Sequence, residues 1–159
     1  MVATKEERIV IPNVLESVLR YCLKDARERM EKGEQIIPFS ALAVKDTLFF
    51  EEHPGNDVAE CFNSARKTVQ NAKGASAYGF CYDGYIELDH GEKGDCLIAE
   101  GGVPGDEYGH AIGLVYTIDD AGVYNFQDEP IYVSKALNYM LGAVDDYEDD
   151  DPEEQPAEG

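Results

Sequence analysis

Two hydrophobic periods alternate along the chain, and the points where one gives way to the other divide it into elements. Leu15, Val18, Leu19, Cys22, Ala26 and Met30 recur at three- and four-residue spacing, while Arg20, Lys24, Arg27 and Glu28 fall at other angles. This pattern predicts an amphipathic helix over residues 14–32 with one buried face. Asn13 stands at the N-cap position, Glu16 follows at capping-box spacing and Gly33 closes the segment. A second helix is predicted over 58–73, where Val58, Phe62, Ala65, Val69 and Ala72 form a stripe behind an Asp57/Glu60 pair and Gly74 ends the run.

Between the helices, the apolar run Ile36–Val44 and the segment Thr47–Glu51 are separated by Lys45-Asp46, which predicts a β-hairpin. Pro38 has no amide hydrogen for a ladder, so the first strand is expected at an edge or irregular near its start. From Ala75 onward the period is two. Tyr78, Phe80, Tyr82, Ile86 and Leu88 hold one phase through Gly84, which argues against a tight turn at Asp83-Gly84. One strand over 76–88, bent at Gly84, is expected instead, with the turn at 89–94 and a return strand at Cys96–Glu100. A glycine-rich loop at 101–106 precedes a strand over Tyr108–Ile118, a turn at 119–122 and short strands at Val123–Phe126 and Ile131–Val133. Ser134 is placed to cap a last helix over 135–141.

Strand blocks joined by tight turns predict an α+β domain: an antiparallel sheet of about five strands with the two main helices on one face. The domain is expected over 13–144, between an N-terminal arm (1–12) and a disordered acidic tail (145–159). The order α-β-β-α, then a run of strands and a short α, is similar to that of the roadblock and profilin-like scaffolds. Those scaffolds serve chiefly as interaction platforms; the likeness is one of element order over roughly residues 13–141 and rests on no sequence motif.

Charge narrows the range of partners. The chain carries a net charge of −20, and residues 145–159 hold nine acids and no base, which leaves −20 + 9 = −11 on the rest. Such a field repels phosphates and anionic lipid, so neither nucleic acid nor membrane is expected as a partner. Met1–Pro12 is charged at Lys5, Glu6, Glu7 and Arg8, with no apolar run of signal-peptide length, and a cytoplasmic location is expected. Cys22, Cys61, Cys81 and Cys96 form no C-x-x-C pair, which points to buried free thiols.

Catalytic chemistry finds little support. There is no G-x-S-x-G, Gly-Lys-Ser/Thr or G-x-G-x-x-G motif, and no EF-hand pattern in the acidic turn around Asp89, Glu92 and Asp95. His53 and His90 read as solvated loop histidines, and His110 shares the parity of Tyr108 and Ile112 on its strand. No catalytic residue, metal or cofactor is therefore expected. One alternative set exists at the strand ends, Asp83, Asp95 and Glu100 with His110, which would hold a hard cation or move a proton if the carboxylates converged.

The tyrosines carry the main expectation. Tyr78, Phe80 and Tyr82 have one parity on their strand, Tyr108, His110 and Tyr116 one parity on theirs, and small residues (Ala77, Gly79, Cys81; Gly109, Ala111, Gly113) fill the other. If the small residues lie beneath the helices, the tyrosines form an outward binding face of Tyr78, Tyr82, Tyr108, His110 and Tyr116. The expected function is a non-catalytic interaction or regulatory module that self-associates, as a homodimer or larger homo-oligomer, or binds a protein partner through that face. Two alternatives stand beside it: an acidic inhibitor of the immunity-protein type that neutralises a basic partner, and a metal- or small-ligand-binding enzyme using the strand-end carboxylates.

Overall fold

The computed structural model describes residues 9–88 and 91–142. The expected acidic tail, most of the N-terminal arm and His90 lie outside the described residues. In chain order the elements are α1 (Asn13–Glu31), β1 (Phe39–Val44), β2 (Thr47–Glu52), α2 (Val58–Asn71), β3 (Ala77–Glu87), β4 (Lys93–Gly102), β5 (Gly109–Ile118), β6 (Tyr124–Phe126) and β7 (Ile131–Ala136). All pairings are antiparallel, in the order β2-β1-β3-β4-β5-β6, with β7 also on β5. The domain is thus α+β, with the expected order α-β-β-α followed by a run of strands. β3 runs unbroken through Gly84, as the constant phase of its side chains required.

Helix α1 forms because its apolar stripe has a sheet to lie on. Leu15, Val18, Leu19, Cys22, Leu23, Ala26 and Met30 are buried against Ala41, Ala77, Cys81, Leu97 and Ala99. Gly79 lies directly beneath: a Cβ there would meet Val18 Cγ1 at 3.1 Å and Cys22 Sγ at 3.2 Å, so the small-residue parity of β3 lets the helix approach closely. On the opposite side, Arg20, Lys24, Arg27 and Arg29 pair with Glu16, Glu28, Glu31 and Asp25 at four-residue spacing. Solvent screens the exposed pairs among these and leaves them little net worth, whereas burying a leucine is worth roughly 1.5–3 kcal/mol, so the apolar stripe holds the helix. Asn13 does not cap: Pro12 occupies the N-cap position, no side chain bonds the first turn, and Glu16 is drawn to Arg20 instead.

Helix α2 is capped as its sequence predicts, with Asp57 Oδ1 accepting from the Glu60 N–H at 2.9 Å. It does not share a face with α1. Its Phe62 ring sits 4.9 Å from Phe80 and 5.1 Å from Tyr82, whose side chains leave the sheet on the side away from Gly79 and Cys81. The two helices therefore cover opposite faces, a correction to the one-face arrangement. The bulky β3 parity needs cover as much as the small one does, and the His53–Asp57 connection carries the chain around the sheet to supply it. The buried positions of α2 are Cys61, Ala65 and Val69, while Val58 is 70% exposed.

Three further expectations change. Among the described residues the sheet has seven strands, because β6 and β7 both pair along β5 as two pieces of one interrupted strand. Gly101 and Gly102 belong to β4, and a Cβ at either position would collide with the Tyr78 carbonyl or with Asn138. The last helix is absent: β7 continues to Ala136 and the chain then turns at 139–142. Tyr78 accepts from the Tyr139 N–H at 2.9 Å and its ring stacks on Tyr139, so this segment satisfies its backbone by closing over the sheet. No helix among the described residues is long and apolar enough to cross a membrane.

Candidate functional site

The position of each tyrosine follows from register. Tyr82 pairs with Ile98 and Ile98 with Gly113, so even-numbered positions of β3 share a face with odd-numbered positions of β5. Tyr78 and Tyr82 lie on the α2 face, whereas Tyr108, His110 and Tyr116 lie on the α1 face. The five residues expected to form one surface are divided between two, because like parity on separate strands means a common face only when the intervening register allows it.

On the α2 face, Tyr78 is only 1% exposed and its hydroxyl donates to the Leu137 carbonyl at 3.3 Å. It is a clamp for the C-terminal segment. Tyr82 is half-buried and donates to Glu100 Oε1 at 2.9 Å. Burial pushes the Glu100 carboxyl up, and the Tyr82 hydrogen bond pulls it partly back. On the α1 face, buried Tyr116 packs against Tyr124 and Phe126 and donates to Asp83 Oδ1 at 2.7 Å. Desolvation raises the Asp83 carboxyl, the Tyr116 bond lowers it, and nearby Asp95 raises it again.

His110 is buried between β5 and β7, its Nδ1 2.9 Å from the Tyr132 hydroxyl. Burial lowers its pKa, with Asp106 opposing and Lys135 assisting, so the imidazole is held neutral. Tyr108 lies edge-on to it at 5.7 Å, and Lys135 Nζ sits 4.2 Å above the Tyr108 ring. A shallow cavity of about 320 Å³ opens here between the 106–108 loop and the 9–12 segment.

Burial pushes the Cys22 thiol up to about 12 and the Cys96 thiol to about 11, and burial also raises Cys81 well above its ordinary value, so these thiols stay protonated at neutral pH. All four cysteines are buried and free. Asp83 and Asp95 sit on the α1 face and Glu100 on the α2 face, so the three carboxylates cannot converge on one ion. No cluster of three metal-ligating side chains occurs among the described residues.

Two features escaped the sequence. His53, read as a solvated loop residue, is fully buried, with Nε2 2.8 Å from Ser40 Oγ and Nδ1 2.9 Å from Ser64 Oγ. It ties β1 to α2 across the start of the connection between the faces. The second is strand β2. It is the terminal strand, paired among the described residues only with β1 in an unbroken register, and Phe49 and Phe50 are 55% and 41% exposed. The signal was present in the sequence: adjacent side chains of a strand point to opposite faces, so Phe49-Phe50 in an edge strand leaves at least one ring poorly covered.

The described residues thus define a class, an open antiparallel α+β sheet with one helix on each face and β2 as a terminal strand. The comparisons add no family to that class: the chain matches no protein-family model, no curated protein and no solved structure.

Proposed function

We propose that the chain is a non-catalytic interaction module whose contact is made at the open β2 edge of the sheet. One observation carries this reading: a regular terminal strand, free of bulge and proline, that presents two exposed phenylalanines beside backbone groups with no partner among the described residues and confines its acids to Glu51 and Glu52 at one end. Edges of this kind are normally blunted, and those left open are the ones used for strand addition. The apolar surface continues onto the α1 side. Tyr21 lies 5.8 Å from Phe50, and a cleft of about 220 Å³ bordered by Val14, Tyr21 and Leu48 runs between α1 and the β1–β2 turn. The buried tyrosines act as internal clamps, which shifts the contact from the sheet face to its edge.

Comparing affinity capture by the wild-type chain and by the Phe49→Lys/Phe50→Lys double variant tests the reading. Binding, to itself or to another protein, is expected with the first and lost with the second while the thermal unfolding curve is kept. Identical capture by both would remove the β2 edge from the proposal.

A second reading, an acidic inhibitor of a basic partner, draws support from α1, where all four bases are matched by acids of the same helix and the wider negative field stays uncompensated. Its mark would be affinity for a basic protein falling steeply with salt and indifferent to the Phe49→Lys/Phe50→Lys change.

A further inference from the structure

We infer that the occupant of the β2 edge is a second copy of the same strand, paired antiparallel about a two-fold axis with Phe49 opposite Phe49; this rests on the reading of the edge as a contact. The argument begins with hydrogen-bond direction. The His53 N–H bonds the Pro38 carbonyl at 2.8 Å, so by alternation the backbone groups of Thr47, Phe49 and Glu51 address β1 and those of Leu48, Phe50 and Glu52 turn outward. Two copies continuing one sheet must match residues that share a face, which permits Phe49 or Phe50 on the axis and forbids a centre between them.

Side-chain complementarity selects between these. With Phe50 on the axis, Phe49 would oppose Glu51 and Leu48 would oppose Glu52, and the strand would run into buried His53. With Phe49 on the axis, Leu48 faces Phe50 twice on the α1 side, both as hydrogen-bonded pairs, and Thr47 faces Glu51. Lys45 of each copy then lies diagonal to Glu51 of the other, an opposite-charge contact. Asp46 and Glu52 are the one like-charge pair, and Glu52 is already met by Arg29 at 3.4 Å. The β2 carboxylates are drawn back toward the helices, since Glu51 also receives the Thr68 hydroxyl at 3.4 Å, which leaves the phenylalanines foremost. The pairing joins two seven-stranded sheets into one and covers Phe49 and Phe50 in both copies.

Repulsion between two chains of −20 opposes the contact, so association strengthens with salt, which screens charges beyond about 8 Å at physiological ionic strength. The test combines sedimentation of the full chain at low and moderate salt with cysteine trapping. Cα atoms of a non-hydrogen-bonded antiparallel pair lie about 4.5 Å apart, within disulfide range, so Phe49→Cys is expected to give a cross-linked dimer under mild oxidation. Phe50→Cys and the wild-type chain, whose own thiols are buried, are expected not to. Phe50→Lys should weaken association at least about a hundredfold, because the two-fold axis counts each change twice. Phe50→Thr, which keeps β propensity without the charge, guards against a folding defect and should weaken it less. A dimer that cross-links at 50 and not 49, or that survives Phe50→Lys, overturns the pairing. A chain that is monomeric at every concentration and salt also overturns it; the interaction reading survives that result if partners are still captured through β2, and falls with it if none are.

Discussion

The two edges of this sheet are built on different principles. At the β5 side the outer strand is broken: β6 and β7 are separated by Gln127–Pro130, the register slips between Ala111 and Ile112, Pro130 lacks an amide hydrogen, and Lys135 folds over the Tyr108 ring. Each is a known device against edge-to-edge pairing. The β2 side has neither break nor bulge nor proline: its register is unbroken over six residues, and apart from Glu51 and Glu52 at its end the edge carries Leu48, Phe49 and Phe50. Among the described residues one edge is interrupted and the other is continuous, and that contrast is the physical basis for proposing the contact at β2. Each edge also has a histidine behind it. His53 ties β1 to α2 next to β2, and His110 ties β5 to β7.

Removing the support beneath the open edge should have the largest effect. Phe80 is fully buried among Phe62, Tyr82 and His53, where α2 docks behind β1. Phe80→Ala is expected to cost about 3–5 kcal/mol, read from urea unfolding of the monomer. Phe126→Ala, at the end of the interrupted edge and half-exposed, should cost clearly less. Equal losses would mean that the two sides of the sheet are equally anchored, and the contrast would fail.

The histidines give the next effect. Burial lowers both imidazoles below their ordinary value of 6.5, Glu51 opposing at His53 and Asp106 at His110. The unfolded chain therefore takes up protons first as pH falls, so the stability these groups contribute is present above 6.5 and declines as pH drops below it. Glu100 and Asp83 act in the opposite sense at lower pH: their raised values mean the folded protein binds protons before the unfolded chain does. Unfolding followed from pH 7.5 to 5.5 should show the decline, and His53→Gln should flatten part of it. A midpoint that is pH-independent in the wild-type chain and stays so in Glu100→Gln, where one opposing carboxyl is removed, would show that neither imidazole is held neutral by the fold.

At the far edge, Tyr132→Phe removes the hydroxyl that meets His110 Nδ1. A loss of about 1 kcal/mol is expected, typical of one hydrogen bond with a partly buried partner. Self-association should be unchanged, since this edge makes no contact in the proposed dimer. A fall in dimer stability larger than that in monomer stability would place the interrupted edge in the interface.

The elements were legible because local period and local chemistry agree. The stripe of α1, the Asp57 cap of α2 and the phase that carries β3 through Gly84 each depend on residues close together in sequence. What escaped depends on distant pairing. Tyr82 and Tyr116 have like parity, yet they face opposite ways because β4 intervenes with the Ile98↔Gly113 register, which no period on either strand reports. The burial of His53 needed Ser40 and Ser64, eleven to thirteen residues away, to be brought to its two ring nitrogens. Ser134, a fair helix cap in isolation, was overridden by the open side of β5, which offered residues 131–136 a ladder.

The smallest expected effect isolates charge from shape at the open edge. Deleting residues 145–159 removes nine acidic groups per copy and changes the net charge from −20 to −11 without altering β2. If the copies meet at Phe49, charges elsewhere on the chain act on the contact only through the screened field, and at physiological salt that field reaches about 8 Å. Truncation should then tighten self-association by about threefold or less at that salt, and by more at low salt where the field extends further. The salt dependence of the truncated chain should be shallower than that of the full one, while the Phe49→Cys cross-link forms equally in both. Sedimentation of the two forms across a salt series decides the matter. If truncation weakens association, residues 145–159 contribute contacts of their own, and the open edge would not by itself account for the dimer.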